Sequence, residues 1–350
     1  MVTQAQVFSS IRGKLDKRRG DIPRKAEITK MMKQLYEPSL DGPRYFYAQD
    51  ENDLPIARIP TVINGKTSYC AIAPTNVLDA KDWLYQRKPK DYVGKVWPPK
   101  RVEVLLGKPA ATEYCISCWN DQGPCDCSYK AWSEEVRTFV ISNVALRSSS
   151  GKGYGGFARA RIRPETPVGE LTGHVLPRKA ERSAEEDQYH SSIIIGEFNS
   201  KYADRLSDHP SAWIDCTNVG SFARFYNHSC EPNARIVEAR CGMGHRIIYF
   251  ETLGEAIEKD DEITVDYGEK WFTDPTQPCF CGTSSCKNPP PEKTKVTPYK
   301  GKMMASTAPT APRKQPSNNK RKKFVIEESD EDVDEDFDVE RNKKKLKKQK

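Results

Sequence analysis

The chain has 350 residues, 37% of them hydrophobic and 30% charged, with a formal net charge of +7. That balance supports one large or two smaller cores and excludes a chain too polar to fold, while no apolar run is long enough to cross a bilayer. Residues 1–20 mix Arg, Lys and Asp with isolated apolar residues, so no secretory leader is predicted and the eleven cysteines are expected in a reducing compartment.

Residues 1–110 carry no motif that assigns them a role. Within 24–37, Ile28, Met31, Met32, Leu35 and Tyr36 recur at helical spacing ahead of Pro38, which predicts a short amphipathic helix whose methionines are core contacts. From 45 to 100, frequent prolines and short apolar runs predict loops and brief strands anchored by Trp83 and Trp97.

Between 111 and 135 the spacing is Cys115-x2-Cys118-x6-Cys125-x-Cys127. A structural zinc takes four soft ligands, and Gly123-Pro124 lets so short a segment turn back on itself, so one tetrahedral zinc is expected. The competing reading is a loop with unligated cysteines. Cys70, Cys216 and Cys241 stand apart and read as small buried apolar residues.

Residues 138–146 are apolar and strand-like, and Gly151-Lys152-Gly153-Tyr154-Gly155-Gly156 follows. These glycines fit the G-x-G-x-x-G spacing of a dinucleotide loop. Such a loop needs a helix next, to set its amides and dipole against a pyrophosphate. Residues 157–164 instead alternate as a strand does and stop at Pro164, with Pro167 and Gly169 beyond, so the dinucleotide reading is rejected.

Four further segments come in order. Val168-Gly169-Glu170-Leu171-Thr172-Gly173-His174-Val175 is followed by a run from Trp213 into Arg224-Phe225-Tyr226-Asn227-His228-Ser229-Cys230. Glu262-Ile263-Thr264-Val265-Asp266-Tyr267-Gly268 comes next, then Cys279-x-Cys281-x4-Cys286. Together with Gly153-Tyr154-Gly155-Gly156-Phe157-Ala158, this ordered set resembles the SET-domain protein lysine methyltransferases and their zinc-bearing post-SET tail. The resemblance covers roughly residues 115–287 and is most specific from Trp213 onward.

The resemblance implies a mainly β fold with some α. After a small α/β region over 1–110, its parts are a pre-SET-like cysteine cluster over 111–135, a SET domain of small curved sheets over 136–272 and a post-SET zinc segment over 273–290. A pseudoknot is expected to bring Asp266-Tyr267 beside Asn227-His228.

It also implies roles. Backbone groups of Gly153, Tyr154 and Gly155 contact the methionine end of S-adenosylmethionine, although a plain turn would use the same residues. Asn227 and His228 meet its adenine end, with Arg224 and Phe225 shaping the pocket; Phe225 and His228 also read as core residues. Tyr267 is the catalytic residue. Cys230, Cys279, Cys281 and Cys286 hold a second zinc, with a redox pair as the minor alternative. Trp271, Phe272 and Phe280 cover the groove or simply pack.

Four positions depart from the pattern. Leu171 replaces a tyrosine of the substrate channel, Tyr226 replaces an aliphatic residue, and His174 replaces an acid and reads as structural, without a partner. Val265 stands where relatives have an aromatic residue, and with no hydroxyl to restrain a methylated amine it predicts a channel not limited to monomethylation.

Residues 291–350 hold most of the basic excess, leaving 1–290 close to neutral. A Pro/Thr/Ser-rich stretch, the basic knot Lys320-Arg321-Lys322-Lys323, an acidic run over 327–340 and a lysine-rich end predict disorder, nuclear import and a weak nucleic-acid contact through 343–350. The alternative is two charge blocks attracting each other. The whole reads as a nuclear, chromosome-associated lysine methyltransferase with zinc and S-adenosylmethionine as cofactors and a histone tail or nucleosome as partner. A non-histone substrate and an inactive chromatin scaffold are the competing functions.

Overall fold

A computed structural model describes residues 2–18, 21–38, 40–86, 88, 95–106, 114–177, 190–194, 211–242, 245–268 and 278–290. The tail predictions over 291–350, and those for Trp271 and Phe272, lie outside the described residues.

Thr3 caps helix α1 (Gln4–Asp16): its hydroxyl accepts from the Gln6 amide while the Gln6 side chain accepts from the Thr3 amide. That exchange satisfies two donors left over at a helix start. Helix α2 (Lys25–Leu35) buries Ile28, Met32 and Leu35 along one stripe, as the spacing predicts. Short strands follow: β1 (Tyr47–Gln49), β2 (Pro55–Arg58), β3 (Thr61–Ile63), β4 (Lys66–Ser68) and β5 (Ala71–Ile72). Trp83 is the expected anchor. Its indole N–H donates to the Val175 carbonyl at 3.1 Å, and its ring meets Trp97 edge-on at 5.8 Å.

After the short helix α3 (Val102–Leu106) comes the main departure from the sequence reading. Residues 138–146 are not a strand throughout. Helix α4 (Tyr129–Asn143) starts at Ser128, whose hydroxyl accepts from the Ala131 amide, and buries Trp132, Val136 and Val140 at four-residue spacing. The helical phase is set upstream of the apolar run, which by itself fits helix or strand. Strand β6 (Val144–Ser149) then pairs antiparallel with β7 (Gly153–Ala158), in register from Val144 opposite Ala158 to Ser149 opposite Gly153. Gly153, Gly155 and Gly156 therefore lie in a strand, and Gly151 in the turn before it. The strand predicted over 157–164 ends at Ala158, leaving Ile162 bridged to Ile257.

The remaining strands are β8 (Pro167–Glu170), β9 (Gly173–Pro177), β10 (His190–Ile194), β11 (Ser211–Gly220), β12 (Asn227–His228), β13 (Ala234–Cys241), β14 (His245–Thr252) and β15 (Thr264–Val265). They form small sheets: β13-β14-β8 is antiparallel, β11 lies between β10 and β5 and also pairs with β9, and β12 runs parallel to β15. The architecture is mainly β with a few helices.

The N-terminal region packs on this body through a buried cation. Arg159, 5% exposed, donates to Ile141 O at 2.8 Å, bonds the Gln49 side chain and lies 3.8 Å from Asp53. Burial lowers its pKa to about 10, with Asp53 opposing the shift. His174, expected to lack a partner, lies 2.9 Å from Asp82 of the same region.

Candidate functional site

Two segments that are distant in sequence meet at β12 and β15. Asn227 pairs with Thr264 and His228 with Val265, and the Ser229 amide continues the ladder to Val265 O at 3.0 Å. This places Tyr267 beside His228. The Tyr267 amide donates to His228 Nδ1 at 3.1 Å, and the Tyr267 hydroxyl donates to the Tyr226 carbonyl at 2.7 Å. His228 is 8% exposed, and burial holds its pKa below the ordinary histidine range against the pull of Asp266.

Tyr226 has a physical reason to be aromatic. Its buried phenol donates to Val168 O, and its ring fills the space left by Gly156, where a Cβ would lie 2.5 Å from the ring. Gly155 is equally constrained: a Cβ there would sit 2.3 Å from Glu262 Oε1 and 3.1 Å from Asn227 Nδ2. Only glycine leaves room for that contact. The Asn227 amide donates to Tyr154 O at 3.1 Å and to Glu262 Oε1 at 2.7 Å, while Lys152 Nζ reaches Glu262 Oε2 at 2.5 Å. Gly153, Tyr154 and Gly155 are thereby brought against Asn227. Glu262 and Lys152 were not singled out by sequence; an acid one residue before an apolar strand gives no signal of its inward contact.

Arg224 and Phe225 make their contacts with the N-terminal strands and β11. The Arg224 Nε donates to Cys216 O at 2.8 Å and its guanidinium lies 4.8 Å from the Phe225 ring centroid, while Phe225 meets Phe46 edge-on at 5.0 Å. Leu171 is 7% exposed and Val265 fully buried.

The sulfurs of Cys230, Cys279, Cys281 and Cys286 lie within 4.8 Å of one another, with Cys230 and Cys279 4.0 Å apart. A tetrahedral zinc with Zn–S bonds of about 2.3 Å requires S···S edges of about 3.8 Å, so the set fits the metal, and none of these cysteines is in a disulfide. The Lys287 amide donates to Cys230 Sγ at 3.3 Å. Phe280 packs so closely over the β6–β7 turn that a Cβ on Gly151 would lie 2.8 Å from its ring. The closing segment thus touches the turn that precedes the glycines.

Cys115, Cys118, Cys125 and Cys127 form a second quartet with all sulfurs within 4.8 Å, Cys118 and Cys125 being 3.5 Å apart. It too fits a tetrahedral metal. The β13–β14 hairpin holds it: Cys115 bridges Arg240, and the buried Arg240 guanidinium donates to Asn120 O at 2.5 Å. Gly242, at φ +63°, lies so close to Cys127 O that a Cβ would sit 2.1 Å away. Cys241 is buried as expected but does not stand apart. It lies 3.5 Å from Ser117 Oγ, one residue past the bridge from Cys115 to Arg240.

On the other side of β8, Glu170 faces α4. It is 7% exposed and accepts from the Tyr129 hydroxyl at 3.0 and 3.1 Å, and burial raises its pKa to about 8. Together with Arg44, Arg137 and His245 it lines a cavity of about 650 Å³ that does not include Tyr267.

Against known proteins, a SET domain profile matches residues 153–268, the span that runs from the β7 glycines to Gly268. The chain carries a SET domain. A histone-lysine N-methyltransferase of Debaryomyces hansenii, named as H3 lysine-36 specific, is 30% identical over 162 residues, covering 46% of this chain and 21% of that protein. An H3 lysine-4 specific enzyme of Aspergillus oryzae is 32% identical over 146 residues, covering 41% and 11%. The chain thus spans about a fifth or less of the length of these relatives. Among solved structures, KRYPTONITE in complex with mCHG DNA and SAH has a TM-score of 0.31 and 27% identity, covering 42% of this chain and 28% of that one.

Proposed function

We propose that this chain is an S-adenosylmethionine-dependent protein-lysine methyltransferase acting on a histone tail, in the nucleus and on chromatin. The observation that carries the proposal is the junction of β12 and β15, where Tyr267, His228, Asn227 and the Cys230 quartet meet. Relatives named as histone H3 methyltransferases support the substrate class, and their division between lysine 36 and lysine 4 leaves the target residue to experiment.

In this reading S-adenosylmethionine supplies an electrophilic methyl group, and the chain supplies position. Gly153, Tyr154 and Gly155 offer backbone to the methionine end, and Asn227 and His228 offer theirs to the adenine end. Arg224 and Phe225 support the pocket from behind, through their contacts with the N-terminal strands. A lysine amine near pKa 10.4 must lose its proton before it can attack. Apolar walls that include Leu171 and Val265 disfavour the ammonium by desolvation. The Tyr267 hydroxyl commits its proton to the Tyr226 carbonyl, so its lone pairs remain to accept from the amine and fix its direction. Cys230, Cys279, Cys281 and Cys286 would hold a zinc that ties residues 278–290 to the segment after His228, which would couple metal to site order. Cys115, Cys118, Cys125 and Cys127 would hold a second zinc beside the β13–β14 hairpin.

The test is to incubate the full chain with methyl-labelled cofactor and recombinant nucleosomes, then locate the label by mass spectrometry. Label on a histone lysine supports the proposal. Label only on another protein of a nuclear extract would replace the histone by a different substrate, and no label with cofactor bound would leave a binding scaffold.

A further inference from the structure

The cavity of about 650 Å³ beside Glu170 is walled by three parts of the chain: the N-terminal region, α4 and the start of β14. Those walls are tied to one another. The Thr172 hydroxyl donates to Ala73 O at 2.7 Å and the Gly173 amide to Asn76 Oδ1 at 2.9 Å, which fixes the segment over 73–76 to the turn after β8. From α4 the Ser133 hydroxyl donates to Pro74 O at 3.3 Å, and across from it the His245 ring stacks on Tyr129 with centroids 4.2 Å apart. A preformed cavity of this volume suits a small organic molecule.

Most charges on the walls are answered within the protein. Arg137 forks onto Glu134, its Nε and Nη2 reaching the two carboxylate oxygens at 3.1 and 2.5 Å, while Arg246 pairs with Glu238 and Glu103 with Arg101. Glu170 accepts from the Tyr129 hydroxyl, and burial favours its neutral form. Arg44 is the exception. Its half-buried guanidinium donates from Nη1 to Tyr36 O at 3.2 Å and meets no carboxylate among the described residues. Burial and then the like charge of Arg137 disfavour its cation, against Glu134 and Glu37. Exposed Lys130 adds a second positive group to the same walls. The cavity thus offers uncompensated positive charge and a planar fork of N–H donors, which matches a carboxylate or a phosphate. A cationic ligand would need Glu170 ionised, against its burial.

We propose that this cavity is a second ligand site, taking a small organic acid whose carboxylate or phosphate is bound by Arg44. The site is separate from Tyr267 and from the residues assigned to S-adenosylmethionine, none of which lines it. Its occupant touches the N-terminal region and α4 at once, and so holds the two together.

The experiment titrates the full-length protein calorimetrically near neutral pH with benzoate, with phenyl phosphate and with benzylammonium as the cationic counterpart, each with and without S-adenosylhomocysteine. Saturable binding of benzoate or phenyl phosphate is expected, unaffected by S-adenosylhomocysteine, and the tighter of the two names the acid group. Binding should weaken about tenfold in Arg44→Gln, the scale of one lost charge-assisted contact, and be partly regained in Arg44→Lys. In wild type the bound anion should slow hydrogen exchange over 74–76 and 128–137, a readout that needs no variant to fold. No saturable binding of either anion, an affinity unchanged in Arg44→Gln, tighter binding of benzylammonium, or displacement by S-adenosylhomocysteine would each overturn the proposal.

Discussion

The Tyr267 amide donates to Nδ1 of His228 at 3.1 Å, which makes that nitrogen an acceptor. A histidine with Nδ1 as acceptor carries its proton on Nε2, and here Nε2 lies 3.5 Å from Cys230 Sγ. One imidazole thus connects the tyrosine of the site to a ligand of the closing quartet. Burial keeps it neutral, the state this double role requires.

This connection makes the metal a determinant of local order. Cys230→Ser is expected to bind one zinc fewer than wild type and to lose hydrogen-exchange protection over 278–290, where Cys279 N donates to Asn288 O at 2.7 Å. Elemental analysis and exchange measured by mass spectrometry check both. Full protection without the metal would show that packing alone holds the segment.

Gly155→Ala places a methyl group into Glu262 and breaks its contact with Asn227. Cofactor binding should weaken by roughly 1–3 kcal/mol, the usual cost of overpacking a filled site. Calorimetric titration with S-adenosylhomocysteine reads the loss, and an unchanged affinity would separate these glycines from the cofactor.

Glu170 gives a pH signature. Its pKa rises from about 4.5 to about 8 on folding, so the native state binds more protons than the unfolded one. Its contribution is fully present below pH 4.5 and is lost as pH rises through about 8. Glu170→Gln should match wild type near pH 5 and exceed it near pH 9, by on the order of a few kcal/mol. Urea unfolding at the two pH values tests the sign, and parallel pH curves would contradict it.

Val265 is fully buried next to His228 and brings no hydroxyl to the site. Under excess cofactor the product should include di- or trimethyllysine, and Val265→Tyr should shift it toward monomethyllysine. Intact-mass spectra of the substrate peptide decide; monomethyl product alone from wild type would refute the assignment.

The spacing of Cys115, Cys118, Cys125 and Cys127 made the first quartet legible, because chelation by neighbours in sequence leaves a regular mark, whereas Cys230 joined Cys279, Cys281 and Cys286 only through the family resemblance. Helix α2 was legible from its apolar period, and Trp83 from its size. Helix α4 was not: the apolar run at 138–146 carries no period of its own, and the decisive Trp132 and Val136 precede it. Glu262, Lys152 and Arg240 escaped for another reason. Each is a charged residue whose partner lies across the fold, as with Lys152 to Glu262 and Arg240 to Asn120, so sequence gives no cue to the contact. Cys241 read as an apolar leftover because nothing local ties residue 241 to residue 115.

The most direct measurement is methyl transfer by Tyr267→Phe. The substitution removes the hydroxyl bound to the Tyr226 carbonyl and leaves the ring and the backbone bond to His228. Transfer to a histone lysine should fall by on the order of a hundredfold in kcat, the scale of a lost positioning group, with cofactor affinity unchanged. A variant that methylates at the wild-type rate would contradict the placement of the reaction at this phenol.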